Sequence, residues 1–396
     1  MQDTGIMQDT GGIYIHWPYC LSKCPYCDFN SYTGQKADDE LWIRAYQIWL
    51  RNHKDWLESR DLKSVFFGGG TPSLMDPRIV ESVLIEIEQL SGQTPKEVTL
   101  EANPTSSEKD KFSDFASAGV NRLSLGVQAL DDMALKFLGR EHSASDALDA
   151  LQMARTVFDN VSFDLIYARP GQSLSQWKKE LDRALSYKPS HMSLYQLTIE
   201  PGTAFYQKHK RGDFQMPDDE YQAELYDLTT DLTTDHGLES YEVSNYARPG
   251  RESEHNLIYW RGDEYLGIGP GAHGRLKNLQ NWVATRQHSA PDIWLERTHS
   301  NIRNAEKTFC LTATQRAEEI LMMSLRLKNG VDLHDFQEKT NLSVKELIDT
   351  GALKTLVNEG YVQQSDQAIA VTKQGRLVLD SVIGYLLRSG AEYSVI

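Results

Sequence analysis

The chain has 396 residues, 40% hydrophobic and 24% charged, the proportions of an ordinary globular protein long enough for two or three domains. With 41 Lys and Arg against 56 Asp and Glu the formal charge is −15, an acidic balance that repels phosphate backbones and argues against nucleic acid as a partner. No apolar run approaches the roughly 18 residues of a membrane span, no secretory-signal pattern precedes residue 12, and four cysteines make no disulfide framework, so a cytoplasmic location is expected.

Residues 1–11 carry a near-duplicate, MQDTGI then MQDTGG, and read as flexible. From residue 12 a strand-then-helix beat begins. Short apolar runs rich in Val, Ile, Leu and aromatics predict strands over 13–17, 64–69, 97–102, 121–127, 161–168 and 191–199. Helical patterns fall between them at 38–57, 76–90, 107–119, 143–158 and 173–185, several opening on a Ser or Asp cap, and a polar helix follows at 218–236. Six such beats, spanning residues 12–237, predict an α/β fold with a partial (β/α)6 barrel resembling the TIM barrel. In such folds chemistry gathers at the C-terminal strand ends, and those ends carry GGGTP (68–72), EANP (101–104), GVQ (126–128) and ARPGQ (168–172).

Residues 238–305 read as a connecting segment dense in Gly and aromatics, containing HNLIYW (255–260) and GIGPGAHG (267–274). From about 306 the character changes. A helix ending at Gly330, two shorter helices, a hairpin over 360–372 and a last helix over 373–388 predict a C-terminal helical, winged-helix-like domain. Its segment 331–372 holds seven acidic residues and three lysines, a poor grip on nucleic acid and a better scaffold or partner surface.

The densest signal is GIYIHWPYCLSKCPYCDFNSY (12–32), which places Cys20, Cys24 and Cys27 in a loop just after the first strand. Thiolates at this spacing converge on zinc or an iron–sulfur cluster. Structural zinc asks for four N or S ligands, and no second Cys or His pair lies nearby. Three thiolates on a 4Fe-4S cluster leave one iron open. CxxxCxxC after a first barrel strand resembles the signature of the radical S-adenosylmethionine (radical SAM) superfamily. The resemblance implies that S-adenosylmethionine takes the open iron through its amino and carboxylate groups, and that electron transfer into the sulfonium can yield a 5′-deoxyadenosyl radical. It also implies cofactor contacts from Gly69, Gly70 and Thr71 in GGGTP, from Glu101, Gln128 and Asp164 on strands three to five, from Arg140 in LGREH, and from Tyr14 and Tyr26 beside the triplet.

The set YIHWPYC…CPYCDF, GGGTPS, EANP, LGVQ, LGR and DLIY…PGQ is similar to the oxygen-independent coproporphyrinogen III oxidase group, from about residue 12 to beyond 380. Oxidases of that group carry another cysteine two positions after the third, where this chain has Phe29, and a longer segment before the first strand. The likeness therefore falls on the heme-chaperone branch. That branch implies a soluble carrier of heme, cluster and S-adenosylmethionine, with apo-hemoprotein acceptors such as membrane respiratory enzymes; it leans away from an enzyme, with oxidative decarboxylation of coproporphyrinogen as the alternative. HNLIYW matches the branch's heme motif, which implies His255 as iron ligand with Tyr259 and Trp260 against the porphyrin. His273 is a second candidate ligand, or else lines the cofactor site. Relatives often have cysteine where this chain has Ser253 and Pro270, so no thiolate heme ligand is expected there. Cys310 lies outside every motif and reads as a small buried apolar residue. Arg169, before PGQ, adds a charge for which the sequence gives no purpose.

Overall fold

The computed structural model describes residues 9–34, 38–278 and 281–387. The expected flexible N-terminus as far as residue 8, and the expected C-terminal domain from residue 388, lie outside the described residues.

Alternation within each strand explains the main sheet. In β1 (Thr10–Trp17), β2 (Asp61–Gly69), β3 (Glu97–Ala102), β4 (Arg122–Gln128), β5 (Asn160–Tyr167) and β6 (His191–Gln196), one set of side chains is apolar and joins the principal core. Ile13 and Ile15, Val65 and Phe67, and Leu123 and Leu125 are examples. The intervening positions, among them Ser64, Thr99, Ser162 and Ser193, are polar yet buried, so they line the inside of the curved sheet. These six strands are parallel, each hydrogen-bonded to the next.

The sheet then continues past both edges. On one side β8 (Asn245–Ala247) pairs antiparallel to β6, and β7 (Glu239–Ser240) pairs antiparallel to β8 at the edge. On the other, β9 (Glu264–Ile268) is a seventh parallel strand beside β1, followed by the antiparallel β10 (His273–Asn278), β11 (Asn281–Gln287) and β12 (Glu306–Leu311). The stretch read as a connecting segment thus supplies strands of the same sheet. Its glycines explain the missing strand signal: a Cβ on Gly267 would lie 1.9 Å from the His273 carbonyl oxygen.

Helices cover the apolar face. α1 (Asp39–Asn52) buries Trp42, Tyr46, Trp49 and Leu50 at helical spacing and is capped by Asp38. α2 (Pro77–Ser91) starts at the Asp76 cap and stops at Gly92, whose φ of 68° is left-handed. Capping boxes at Ser143 and Ser173 open α3 (Ala144–Val157) and α4 (Leu174–Ser186), and Asp218 caps α5 (Asp219–Asp235). The helix expected over 107–119 is instead two short ones, Ser106–Lys109 and Phe112–Ser117.

A short helix, α6 (Glu254–Trp260), carries HNLIYW against the inner face of β1 and β2. Its N-terminus is held by Glu97, which accepts from the amides of Glu254 and His255 (both 3.1 Å) and from the Ser253 hydroxyl (3.2 Å). Beyond the sheet, α7 (Ala313–Ser324) begins a second core containing Ala317, Leu321, Phe336, Leu353 and Val371. Helices Leu333–Thr340, Val344–Leu347 and Thr350–Asn358 precede a hairpin, Val362–Gln364 with Ala368–Val371, joined by Val331–Asp332. This is the winged-helix-like arrangement expected. No helix among the described residues is long and apolar enough to cross a membrane.

Candidate functional site

The cysteine loop is closed at its base by parallel pairing of Tyr19–Cys20 with Tyr32–Thr33. Within it the Cys27 amide donates to the Cys24 carbonyl (3.1 Å), a tight turn set up by Pro25. All three thiols are free and half-buried at the mouth of one pocket of about 170 Å³. Thr71 donates its hydroxyl to Cys20 Sγ (3.4 Å) and Arg140 Nη1 donates to Cys24 Sγ (3.4 Å), while Cys27 Sγ lies 3.9 Å from the Ser31 hydroxyl. Burial pushes the Cys20 and Cys27 thiols up, so thiolates here need a bound cation to hold them deprotonated. Among the described residues no three His, Cys, Asp or Glu side chains converge on a single ion.

Next to the thiols the backbone is bare. A Cβ on Gly70 would lie 2.7 Å from the Tyr19 carbonyl oxygen, and Gly69 has a φ of 111° with its Cβ position 2.5 Å from the His16 ring. The Gly69 amide donates to Glu101 (3.2 Å). Burial, with Asp164 adding to it, pushes the Glu101 carboxyl up to about 8, and burial raises Asp164 to about 6. Asp164 Oδ1 is buried without a hydrogen-bond partner among the described residues. An unsatisfied acceptor beside a glycine cradle fits the hydroxyls and amino-acid end of S-adenosylmethionine. Gln128 sits at a β-bulge with a φ of 68°, strain placed at a strand end facing this pocket.

Arg140 is engaged more fully than a simple carboxylate clamp would be: Nη2 donates to Asn103 Oδ1 and to the Gly126 carbonyl (2.9 Å). Asn103 also donates to Thr71 Oγ1 (3.1 Å), joining GGGTP to EANP. It stands in EANP two residues after Glu101, where an asparagine before proline carries no chemical signal of its own. Tyr26 lines the same pocket and packs on Phe205 (6.2 Å between rings). Tyr14 is not in this pocket. It lines a second cavity of about 940 Å³, which shares Gly69, Glu101 and Phe29 with the first.

The second cavity has aromatic walls: Tyr14, Phe66, Tyr259 and Tyr265, with His16, His255 and His273. His255 is 1% exposed, stacked on Phe66 (4.9 Å), with Nδ1 2.7 Å from the Ser64 hydroxyl and Nε2 2.8 Å from the Tyr259 hydroxyl. Both ring nitrogens are occupied, and burial lowers its basicity to about 3. Tyr259 borders the cavity; Trp260 does not. Its ring lies under Arg326 (4.9 Å) and its carbonyl accepts from Ser324, so it faces the C-terminal domain. His16 is likewise satisfied, Nε2 donating to the Asn30 carbonyl (2.9 Å) and Nδ1 accepting from Tyr14 (3.0 Å).

Two further expectations change. Cys310 is exposed, not buried: it lies on β12, the outermost strand of the sheet. Arg169 forms a buried ion pair with Glu180 and donates to the Ile166 carbonyl (3.1 Å), tying the turn after β5 to α4. Its charge serves the fold.

A parallel barrel with a three-cysteine loop at its strand ends defines a radical SAM protein. The Radical SAM superfamily model matches residues 14–184, and the HemN C-terminal domain model matches 311–378. "Radical S-adenosyl methionine domain-containing protein 1, mitochondrial" of Danio rerio is 37% identical over 386 residues, covering 95% of this chain and 86% of that protein. "Heme chaperone HemW" of Bacillus subtilis is 33% identical, covering 94% and 98%, and that of Escherichia coli 34%, covering 95% and 97%. The solved structure of the coproporphyrinogen III oxidase HemN from Escherichia coli, a radical SAM enzyme, superposes with a TM-score of 0.78 at 20% identity, over 96% of this chain and 90% of that one. The chain belongs to the HemW family of the radical SAM superfamily.

Proposed function

We propose that this protein is a heme chaperone: it holds heme in the aromatic cavity beside a cluster and S-adenosylmethionine, and passes the heme to acceptor hemoproteins. The observation that carries the reading is the shared wall. Gly69 and Glu101 belong both to the cysteine pocket and to an aromatic cavity of about 940 Å³, within the range of small-molecule sites. Heme presents two flat apolar faces, a metal and carboxylates, and the cavity offers aromatic rings, imidazoles and cations to match.

In this reading Cys20, Cys24 and Cys27 hold the 4Fe-4S cluster that the superfamily implies. The Gly69–Thr71 backbone, Glu101, Gln128 and Asp164 receive S-adenosylmethionine beside it, and Tyr26 and Arg140 close the pocket's flank. When bound, that pair supplies one-electron chemistry at the sulfonium. The chain's own contribution is to keep Glu101 neutral, fix Gly69 through it, and place both residues in the wall that the two chambers share. Membrane respiratory enzymes are the acceptor class proposed, reached from the cytoplasm.

Anaerobic reconstitution with iron, sulfide and S-adenosylmethionine, followed by heme titration and mixing with an apo-hemoprotein, tests the reading. A shifted Soret band and recovery of acceptor activity support it. Decarboxylation of added coproporphyrinogen without heme transfer replaces it with the oxidase reading.

A further inference from the structure

Of the three imidazoles that line the cavity among the described residues, one has a ring without a hydrogen-bond partner. His255 uses both nitrogens on Ser64 and Tyr259, and His16 uses both on Asn30 and Tyr14. The His273 ring makes no hydrogen bond to any described residue; it is partly exposed and borders the cavity. Partial burial, and after it Arg286 and Arg275, lower its basicity from the ordinary value, which favours the neutral imidazole that ligates metals.

Its cross-strand partner points the same way. His273 on β10 is paired in register with Arg286 on β11, so the two side chains share one face of the sheet. Arg286 is exposed at the cavity wall and forms no ion pair or hydrogen bond with the described residues. Arg275, two residues along from His273, is by contrast taken by Glu319 (2.9 Å). An unengaged guanidinium beside an unengaged imidazole matches a metalloporphyrin, which carries its carboxylates at the ring edge.

The corner is also rigid and wired to the cysteine loop. Gln287 and Gly271 amides donate to Ala272 and His288 carbonyls (2.8 and 3.0 Å). Asn30, three residues after Cys27, donates to the carbonyls of both Pro270 and Ser289 (2.9 Å each), one on each side of this hairpin. We propose that His273 would supply an iron ligand and Arg286 the carboxylate anchor for heme in this cavity, with His255 a positioning residue that fixes Tyr259 and the α6 helix. The assignment rests on the heme-chaperone reading.

The test titrates ferric heme into the cluster-reconstituted full chain and into H273A, H255Q and R286Q, reading affinity, the visible spectrum and the iron spin state by EPR. Wild type is expected to show an imidazole-ligated signature. H273A should lose it, bind heme at least about tenfold more weakly, and regain the signature when free imidazole is added, while binding iron-free protoporphyrin as wild type does. H255Q should keep the signature. R286Q should weaken heme binding and leave the heme dimethyl ester unaffected. A wild-type spectrum and affinity in H273A, or loss of the signature in H255Q alone, overturns the assignment. Failure of the wild type to bind heme overturns the chaperone reading beneath it.

Discussion

Glu101→Gln isolates the electrostatics of the wall between the two chambers. The Glu101 carboxyl is pushed from an ordinary 4.5 up to about 8, by burial first and by Asp164 second. The folded chain therefore keeps a proton that the unfolded chain releases between those values. Stability contributed at this position is fully present below pH 4.5, falls as pH rises, and levels off above pH 8. Three and a half pH units at ~1.4 kcal/mol each is close to 5 kcal/mol; solvent reaching the pocket wall trims this to about 3–5 kcal/mol. Glutamine matches the neutral acid in shape, still accepts from the Gly69 amide, and does not titrate. The variant should equal wild type near pH 4 and exceed it by about 3–5 kcal/mol near pH 8.5. Urea unfolding of the cofactor-free chain across that range measures the difference. Asp164, raised to about 6, pulls in the same direction but is present in both proteins and cancels. Parallel pH profiles for the two proteins would refute the reasoning.

Gly70→Ala puts a methyl 2.7 Å from the Tyr19 carbonyl, which is backbone and cannot swing away; S-adenosylmethionine binding by calorimetry should drop at least about tenfold. Cys24→Ala should cut cluster iron after reconstitution to background while far-ultraviolet circular dichroism stays that of wild type, since the thiol is half-buried at a pocket mouth and outside the hydrophobic cores. Glu319→Ala strands the Arg275 and Arg316 guanidiniums, both less than a tenth exposed, and should cost about 3–5 kcal/mol in urea unfolding. His255→Ala leaves the Ser64 and Tyr259 hydroxyls without their partner in a stacked space; a loss of about 2–5 kcal/mol is expected, read as a lower urea midpoint of the heme-free protein.

What could be read in advance follows from which forces leave a local trace. The cysteine triplet is legible because one loop supplies all three thiols, so their grouping is written in consecutive sequence. The six barrel strands are legible because their outward positions, such as Val65, Phe67, Leu123 and Leu125, are apolar whatever lies inside. The polar lining is harder to see. Ser64, Thr99 and Ser162 are fully buried, yet a serine in a strand reads as solvent-facing. β9 and β10 left little trace because glycine, not a branched side chain, is what their close pairing demands at Gly267 and Gly274. HNLIYW shows the limit at single-residue scale. Positions 255 and 259 are one helical turn apart and meet at 2.8 Å, whereas Trp260 is turned towards the C-terminal domain. Adjacent residues of one motif thus serve different surfaces.

That division bears on how the two chambers communicate. α6 is fastened at its N-terminus by Glu97, along its face by Ser64 and Phe66, and at its end by Ser324 and Arg326 of α7 and the loop after it. A helix held from three sides is a poor moving part, so release of a bound group is not expected to begin there. The cysteine loop is different. Leu21 and Phe29 on it are about 60% exposed, and its Asn30 side chain reaches the Pro270 and Ser289 carbonyls across the cavity mouth. Any change of the loop that accompanies cluster or S-adenosylmethionine binding is transmitted to the β10–β11 hairpin through those two hydrogen bonds, about 1 kcal/mol each. Coupling of that size shifts an affinity by roughly tenfold to thirtyfold; in the heme-chaperone reading proposed above, that is enough to bias where heme resides and too little to lock it. Asn30→Ala should therefore leave heme binding to the cluster-free protein nearly unchanged and remove most of the difference that the cluster and S-adenosylmethionine make.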